Sequence, residues 1–172
     1  SCDYFKRFYK ADISNISVNI ESDLPIGIGL SSSAATCVSM IRALSSLFEI
    51  NLDQSTIVKI AHCIENDFVG VGGGVMDQFV SVYGATDKAL FLNTKNNDYK
   101  LIPLFDDYNF QIIDSGVKRI LSDSAFNDRK EMCNQSAEKM GLKYLCNKDK
   151  IDEKDKDLLS NSEFKVSRHV IE

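Results

Sequence analysis

Apolar residues recur at helical spacing in two stretches, Ala34, Ala35, Val38, Ile41, Leu44 and Phe48, then Ile57, Ile60, Ala61, Ile64 and Phe68. Positions three and four apart share one face of a helix, so each stretch predicts an amphipathic helix, the second from about Asp53 to Phe68. A third helical pattern covers Asn127 to Met140, with Met132, Cys133, Ala137 and Met140 on one side and Gly141 as its stop. Alternation of Ile16, Val18 and Ile20 predicts instead a strand that delivers the chain to Pro25. Phe79–Gly84 and Lys88–Asn93 read as a strand pair around Gly84 to Asp87, and Tyr99–Leu104 as a further strand with Pro103 near its end. Helices and strands in this order describe an α+β chain with a mixed sheet.

Between the first strand and the first helix lies Leu24-Pro25-Ile26-Gly27-Ile28-Gly29-Leu30-Ser31-Ser32-Ser33-Ala34-Ala35. Gly27 and Gly29 permit φ > 0 and leave N–H groups facing a concavity, and the serines open a helix whose positive end attracts anions. No lysine stands in or beside the loop, which excludes a Walker A motif, and Ser32 replaces the third glycine of a dinucleotide fingerprint. For Gly-x-Gly alone the plain alternative is a serine-capped helix after a flexible turn. A second segment, Gly72-Gly73-Gly74-Val75-Met76-Asp77-Gln78-Phe79, sets backbone freedom beside a carboxylate; its plain alternative is a glycine helix stop before a surface aspartate.

Taken whole, Pro-x-Gly-x-Gly-Leu-Ser-Ser-Ser-Ala resembles the ATP loop of the GHMP kinases, and Gly-Val-Met-Asp-Gln resembles a segment of their galactokinase branch. Asn109–Arg119 is similar to that branch's strand with a small-polar turn, and Ser124–Cys133 to its Tyr-Asn-x-Arg helix entry. Ser167-Arg168-His169-Val170 resembles its Arg-His-Val segment, so motifs in family order cover most of the chain. The resemblance implies the GHMP kinase fold, of the ribosomal protein S5 domain 2-like kind. It places residues 1–106 in the N-terminal, ATP-binding domain and 107–172 in the first part of the C-terminal domain, with the boundary at Asp106-Asp107.

The implied activity is that of an ATP-dependent sugar 1-kinase, with galactose and ATP as small-molecule partners. Gly27, Ile28, Gly29, Leu30, Ser31, Ser32 and Ser33 would hold the phosphates, and Ser33 and Glu65 match the family's Mg²⁺ ligands. Asp77 matches its catalytic base, and Gly74, Asp77 and Phe126 its sugar contacts. Read without the family, Glu65 is an ordinary exposed helix carboxylate. Arg119 and Arg129 are read as surface ion-pair residues and left outside the site. Phe126 stands where the branch usually has tyrosine, keeping an aromatic wall but not the phenolic hydrogen bond, as in kinases for N-acetylgalactosamine. That kinase, and a galactokinase-like sensor without catalysis, are the alternatives. The family's Arg-x-Asn-x-x-Gly-Glu-His-x-Asp-Tyr and Gly-Gly-Gly-Phe-Gly-Gly segments find no match, so the chain is expected to be a central fragment that is inactive alone.

Composition narrows the setting. With 172 residues, 44% hydrophobic, the chain can bury one core or portions of two. A net charge of −5 supplies no excess positive surface for nucleic acid or an anionic membrane. No apolar run reaches the length of a membrane span, and Ser1–Ala11 is too charged for a signal peptide, so the expected location is the cytoplasm and the expected state a monomer. The five cysteines include no Cys-x-x-Cys pair, and Cys37 beside Val38 and Cys63 beside Ile64 suggest reduced, buried thiols. His62 and His169 lack the companions that a zinc site needs. Charges alternate over Asn147–Asp157 with few apolar anchors, which reads as a solvated helix face or loop.

Overall fold

Helix α1 (Cys2–Tyr9) begins a chain whose computed structural model describes residues 1–70, 72–105, 107, 110–114, 116 and 124–172, the side chains of 124–126 excepted. The chain divides into two units, Ser1–Ser122 and Asp123–Glu172. The expected boundary at Asp106-Asp107 falls inside the first of these, and Asp106 itself lies outside the described residues.

The first unit is built on α2 (Ser32–Leu47), α3 (Gln54–Cys63) and α4 (Met76–Tyr83), which pack on one another. Their apolar faces form the core with Val38, Ile41 and Leu44 from α2, Ile57, Val58, Ile60 and Ala61 from α3, and Phe79 and Val82 from α4. Burying such side chains contributes roughly 1.5–3 kcal/mol each, which is what holds short helices together. Asp53 starts α3 by accepting the Thr56 N–H at 2.8 Å, as the sequence places it. Beyond Cys63 the helix widens into a π-helical segment, Ile64–Val69, and ends at Gly70 with φ 77°. Phe5 of α1 is fully buried in the same core, a helix that the charge of its first residues concealed.

Phe79–Tyr83 is helix and not the strand its apolar run suggested. Val75, Phe79 and Val82 are three and four residues apart and pack against the core, while Val80 between them is exposed, so tertiary contact selects the 3.6-residue period. Strand β1 (Lys88–Asn93) therefore pairs with β2 (Asp98–Pro103), antiparallel, with Leu90 opposite Leu101. Tyr99 of β2 lies against Tyr83 and Phe79, ring centroids 4.7 and 6.1 Å apart, which seats the hairpin on α4. Residues 16–20 and 110–114 form no strand, contrary to expectation. Alternation describes two faces, but a strand also needs a partner's ladder of hydrogen bonds, and none pairs with either segment among the described residues. Of the Asn109–Arg119 motif, residues 109, 115 and 117–119, Arg119 among them, lie outside the described residues.

The second unit packs α5 (Ser124–Lys139) and α6 (Glu153–Leu158) against α7 (Asn161–Ile171), with a 3₁₀ turn at Leu145–Asn147. Gly141, with φ 67°, follows α5 as expected. The charged run is not simply solvated: Ile151 and Asp155 are buried, and Asp155 accepts from Lys148 Nζ at 2.7 Å and caps the Asp152 N–H. Buried Glu163 accepts from Lys139 Nζ at 2.6 Å and from the Ser160 N–H. The cysteines are free, but only Cys37 is buried outright and Cys146 is exposed, because Cys146 sits in the short 3₁₀ turn and not on a packed helix face.

Candidate functional site

The glycine-serine loop curls as its composition requires. Gly27 and Gly29 have φ of 82° and 85°, and Ser31, two residues on, has φ of 55°. A Cβ on Gly27 or Gly29 would meet nothing within 4 Å, so glycine is required there by backbone conformation and not by space. Ser31 occupies the N-cap position of α2 without forming a side-chain cap, which corrects the expectation of a serine-capped helix. In the left-handed region its hydroxyl does not serve the first-turn N–H groups, and α2 presents that positive end without a side-chain cap.

Facing the start of α2 is Glu65, in the π-helical segment. Ser33 Oγ donates to Glu65 Oε1 at 2.7 Å, so the two residues expected to share a cation are brought together from 32 positions apart. Gln78 Nε2 donates to the other carboxylate oxygen, Glu65 Oε2. Gln78 is 3% exposed, and its Oε1 is buried without a partner among the described residues. The role of this side chain was missed in the sequence; the signal available was its place directly after Asp77, just before the Phe79–Gly84 run read as a strand.

Asp77 is half-buried in the first turn of α4, where its backbone carbonyl accepts from Ser81 Oγ at 2.8 Å. His62 Nε2 donates to the Gly73 carbonyl at 3.1 Å and so ties the triple-glycine loop to α3. On the outer side of that helix Cys63 Sγ donates to Asp67 Oδ2 at 2.9 Å; the carboxylate and partial burial push the thiol's pKa up, which makes it a poor nucleophile.

A cavity of about 900 Å³ unites these parts. Gly27, Gly29, Leu30, Ser31, Ser32 and Ser33 line one side, with Glu65 and Asp77. Its wall also carries Asp3 and, among the described residues, no lysine or arginine. Ile28 and Gly74 are not among its lining residues, and Gly74 is exposed. The side chain of Phe126 lies outside the described residues. Among the described residues no three His, Cys, Asp or Glu side chains form a metal-binding group. Ser33 and Glu65 alone suit a hard cation of the Mg²⁺ type, which takes oxygen donors and completes its shell from water and phosphate. No described helix is long and apolar enough to cross a membrane.

Residues 2–85 match the GHMP kinases N terminal domain. A galactokinase of Thermotoga petrophila is 38% identical over 168 residues, covering 97% of this chain and 47% of the relative. One of Thermosipho africanus is 43% identical over 137 residues, 79% of this chain and 38% of the relative. The chain spans about half the length of the curated relatives it matches. The crystal structure of Lactococcus lactis galactokinase complexed with galactose superposes with a TM-score of 0.73 at 24% identity, over 87% of this chain and 40% of that one, and shows the same fold. The glycine-serine loop and the acids that face it lie within the stretch that matches the GHMP kinases N terminal domain, and the likeness to the galactokinases runs through nearly the whole of this sequence.

Proposed function

We propose that a protein carrying this chain is an ATP-dependent sugar 1-kinase that transfers the γ-phosphate of ATP to the anomeric hydroxyl of galactose. The observation that carries the reading is the meeting of the Gly27–Ser33 loop, Glu65 and Asp77 in one cavity. Phosphoryl transfer asks the protein chiefly to position reactants and answer charge. Loop N–H groups and the uncapped start of α2 would bind phosphate oxygens. Because the cavity wall carries carboxylates and, among the described residues, no lysine or arginine, a cation would offset the triphosphate there, and Ser33 and Glu65 would hold it. When bound, Mg²⁺ supplies charge neutralisation on the phosphates. Asp77 would take the sugar hydroxyl's proton as its oxygen forms the new bond to phosphorus and the bond from phosphorus to the bridging oxygen of ADP breaks.

Ile28 and Gly74 belong to the proposed phosphate and sugar contacts through their backbone, and Phe126 to the sugar wall. The family's division at Asp106-Asp107 is retained as the proposed domain boundary. The absence of a Cys-x-x-Cys pair and the use of ATP fit a cytoplasmic enzyme, proposed as a monomer. Phe126 favours a second reading, preference for N-acetylgalactosamine, because the usual phenol is replaced by a bare ring. The test is ADP release by a protein of the relatives' full length carrying this segment, with galactose, N-acetylgalactosamine, pentoses and mevalonate. Turnover with galactose is expected; turnover only with N-acetylgalactosamine supports the second reading, and turnover of mevalonate but no sugar overturns both.

A further inference from the structure

We infer that Gln78 is a positioning residue that holds the Glu65 carboxylate in the orientation in which it meets Ser33. This rests on the reading of Glu65 as a cation ligand. Glu65 is engaged at both oxygens, by Ser33 Oγ at Oε1 and by Gln78 Nε2 at Oε2. The serine side opens to the cavity, whereas Gln78 is buried behind the carboxylate and is not among the cavity's lining residues. Ser33 is free to exchange its hydrogen bond for a cation while Gln78 keeps the far oxygen fixed, the arrangement by which partners of a metal ligand set its direction.

The chemistry of the position supports this role over simple core filling. An amide buried with Oε1 unpartnered is costly, and an apolar side chain of similar length would avoid the loss. What the amide contributes is the N–H aimed at Glu65. It does so without charge: a lysine there would neutralise the carboxylate and weaken its hold on a cation, whereas an amide leaves the full negative charge available. Gln78 also follows Asp77 in the first turn of α4, so one helical turn sends an acid to the cavity and an amide behind the cation's acid. The placement of Glu65 and that of Asp77 are thereby tied to the register of a single helix.

The test uses this chain with ADP, Mn²⁺ as the probe ion, and electron paramagnetic resonance of free Mn²⁺ as the readout. Gln78→Met is expected to weaken Mn²⁺ binding about 10-fold or more, with an unfolding midpoint equal to or above that of the unsubstituted chain. In a Glu65→Gln background the same change should cost less than about 2-fold, because a residue that acts through Glu65 has nothing left to position. Equal losses in both backgrounds, or no loss in either, would overturn the role of Gln78 while leaving Glu65 as a ligand if Glu65→Gln itself weakens binding. If Glu65→Gln leaves Mn²⁺ affinity unchanged, or the unsubstituted chain binds none, the cation reading fails and takes this inference with it. Should Gln78→Met prevent folding, Gln78→Leu carries the same comparison.

Discussion

Asp77 and Ser31 show how much of this site is decided one residue at a time. Asp77 follows the triple glycine by a short step and projects from the first turn of α4, where a carboxylate is favoured by the helix dipole and is half-open to the cavity. If it serves as the base, Asp77→Asn in a full-length protein carrying this segment should lower kcat by about 10²-fold or more while leaving the affinity for MgADP within about 2-fold. Steady-state kinetics with a separate nucleotide titration would check it, and an unchanged kcat would make Asp77 structural. Ser31 illustrates the opposite case, a residue whose backbone matters more than its side chain. A non-glycine residue in the left-handed region costs roughly 1–2 kcal/mol, and the loop accepts that cost to leave the start of α2 without a side-chain cap.

At the scale of the element, α3 carries both a conventional start and an unconventional end. Asp53 accepts hydrogen bonds from Ser55 Oγ at 2.7 Å, Thr56 N at 2.8 Å and Thr56 Oγ1 at 3.0 Å. These bonds, that from Ser55 foremost, hold its pKa at about 2, below the ordinary 3.8. A carboxylate whose pKa is lowered by folding stabilises the fold fully above its unfolded value and loses that contribution as pH falls through the folded value. Melting temperatures should therefore fall between pH 3.8 and about 2, and less steeply in Asp53→Ala, which begins lower and has this contribution removed. Thermal melts of both proteins across that range would decide it; parallel curves would show that the cap is not formed. Glu163, brought to about 2 mainly by the Lys139 hydrogen bond and also by the Ser160 cap, titrates in the same window and persists in the variant, so the difference between the curves is the measure. At the other end the π-helical segment turns Glu65 toward Ser33; a continuous α-helix would rotate the residues that follow to other directions.

For the whole molecule, the fold brings a loop near residue 30, a helix near 65 and a glycine turn near 75 to one cavity, yet the chain spans 47% of the Thermotoga petrophila relative and 38% of the Thermosipho africanus one. We expect the 172-residue chain, with galactose and MgATP, to give no sustained ADP release above a buffer blank. Catalysis of this type depends on placement, and an error of about 1 Å can cost about 10²-fold. The same chain should retain weak binding of MgADP, because N–H groups and an oxygen-bound cation act locally. A coupled ADP assay beside a calorimetric titration separates the two, and turnover would show that the segment suffices for the chemistry.

What the sequence determined by itself is what depends on near neighbours. The faces of α2 and α3 follow from apolar spacing sustained over many residues, the start of α3 from Asp53, and the left-handed turns at Gly27 and Gly29 from the absence of a Cβ. The loops of the candidate site were legible for the same reason, since Gly27–Ser33 and Gly72–Asp77 are continuous in the chain. Tertiary structure decided whatever required a partner from far away. Phe79–Tyr83 is too short for its pattern to separate helix from strand, and packing of Phe79 and Val82 on the core settles it as helix. Residues 16–20 alternate correctly and still form no strand, because a ladder belongs to two segments and not to one. Gln78 behind Glu65 and Asp155 beside Lys148 read as ordinary polar residues until burial removes water and makes a specific hydrogen-bond partner the condition of their being inside.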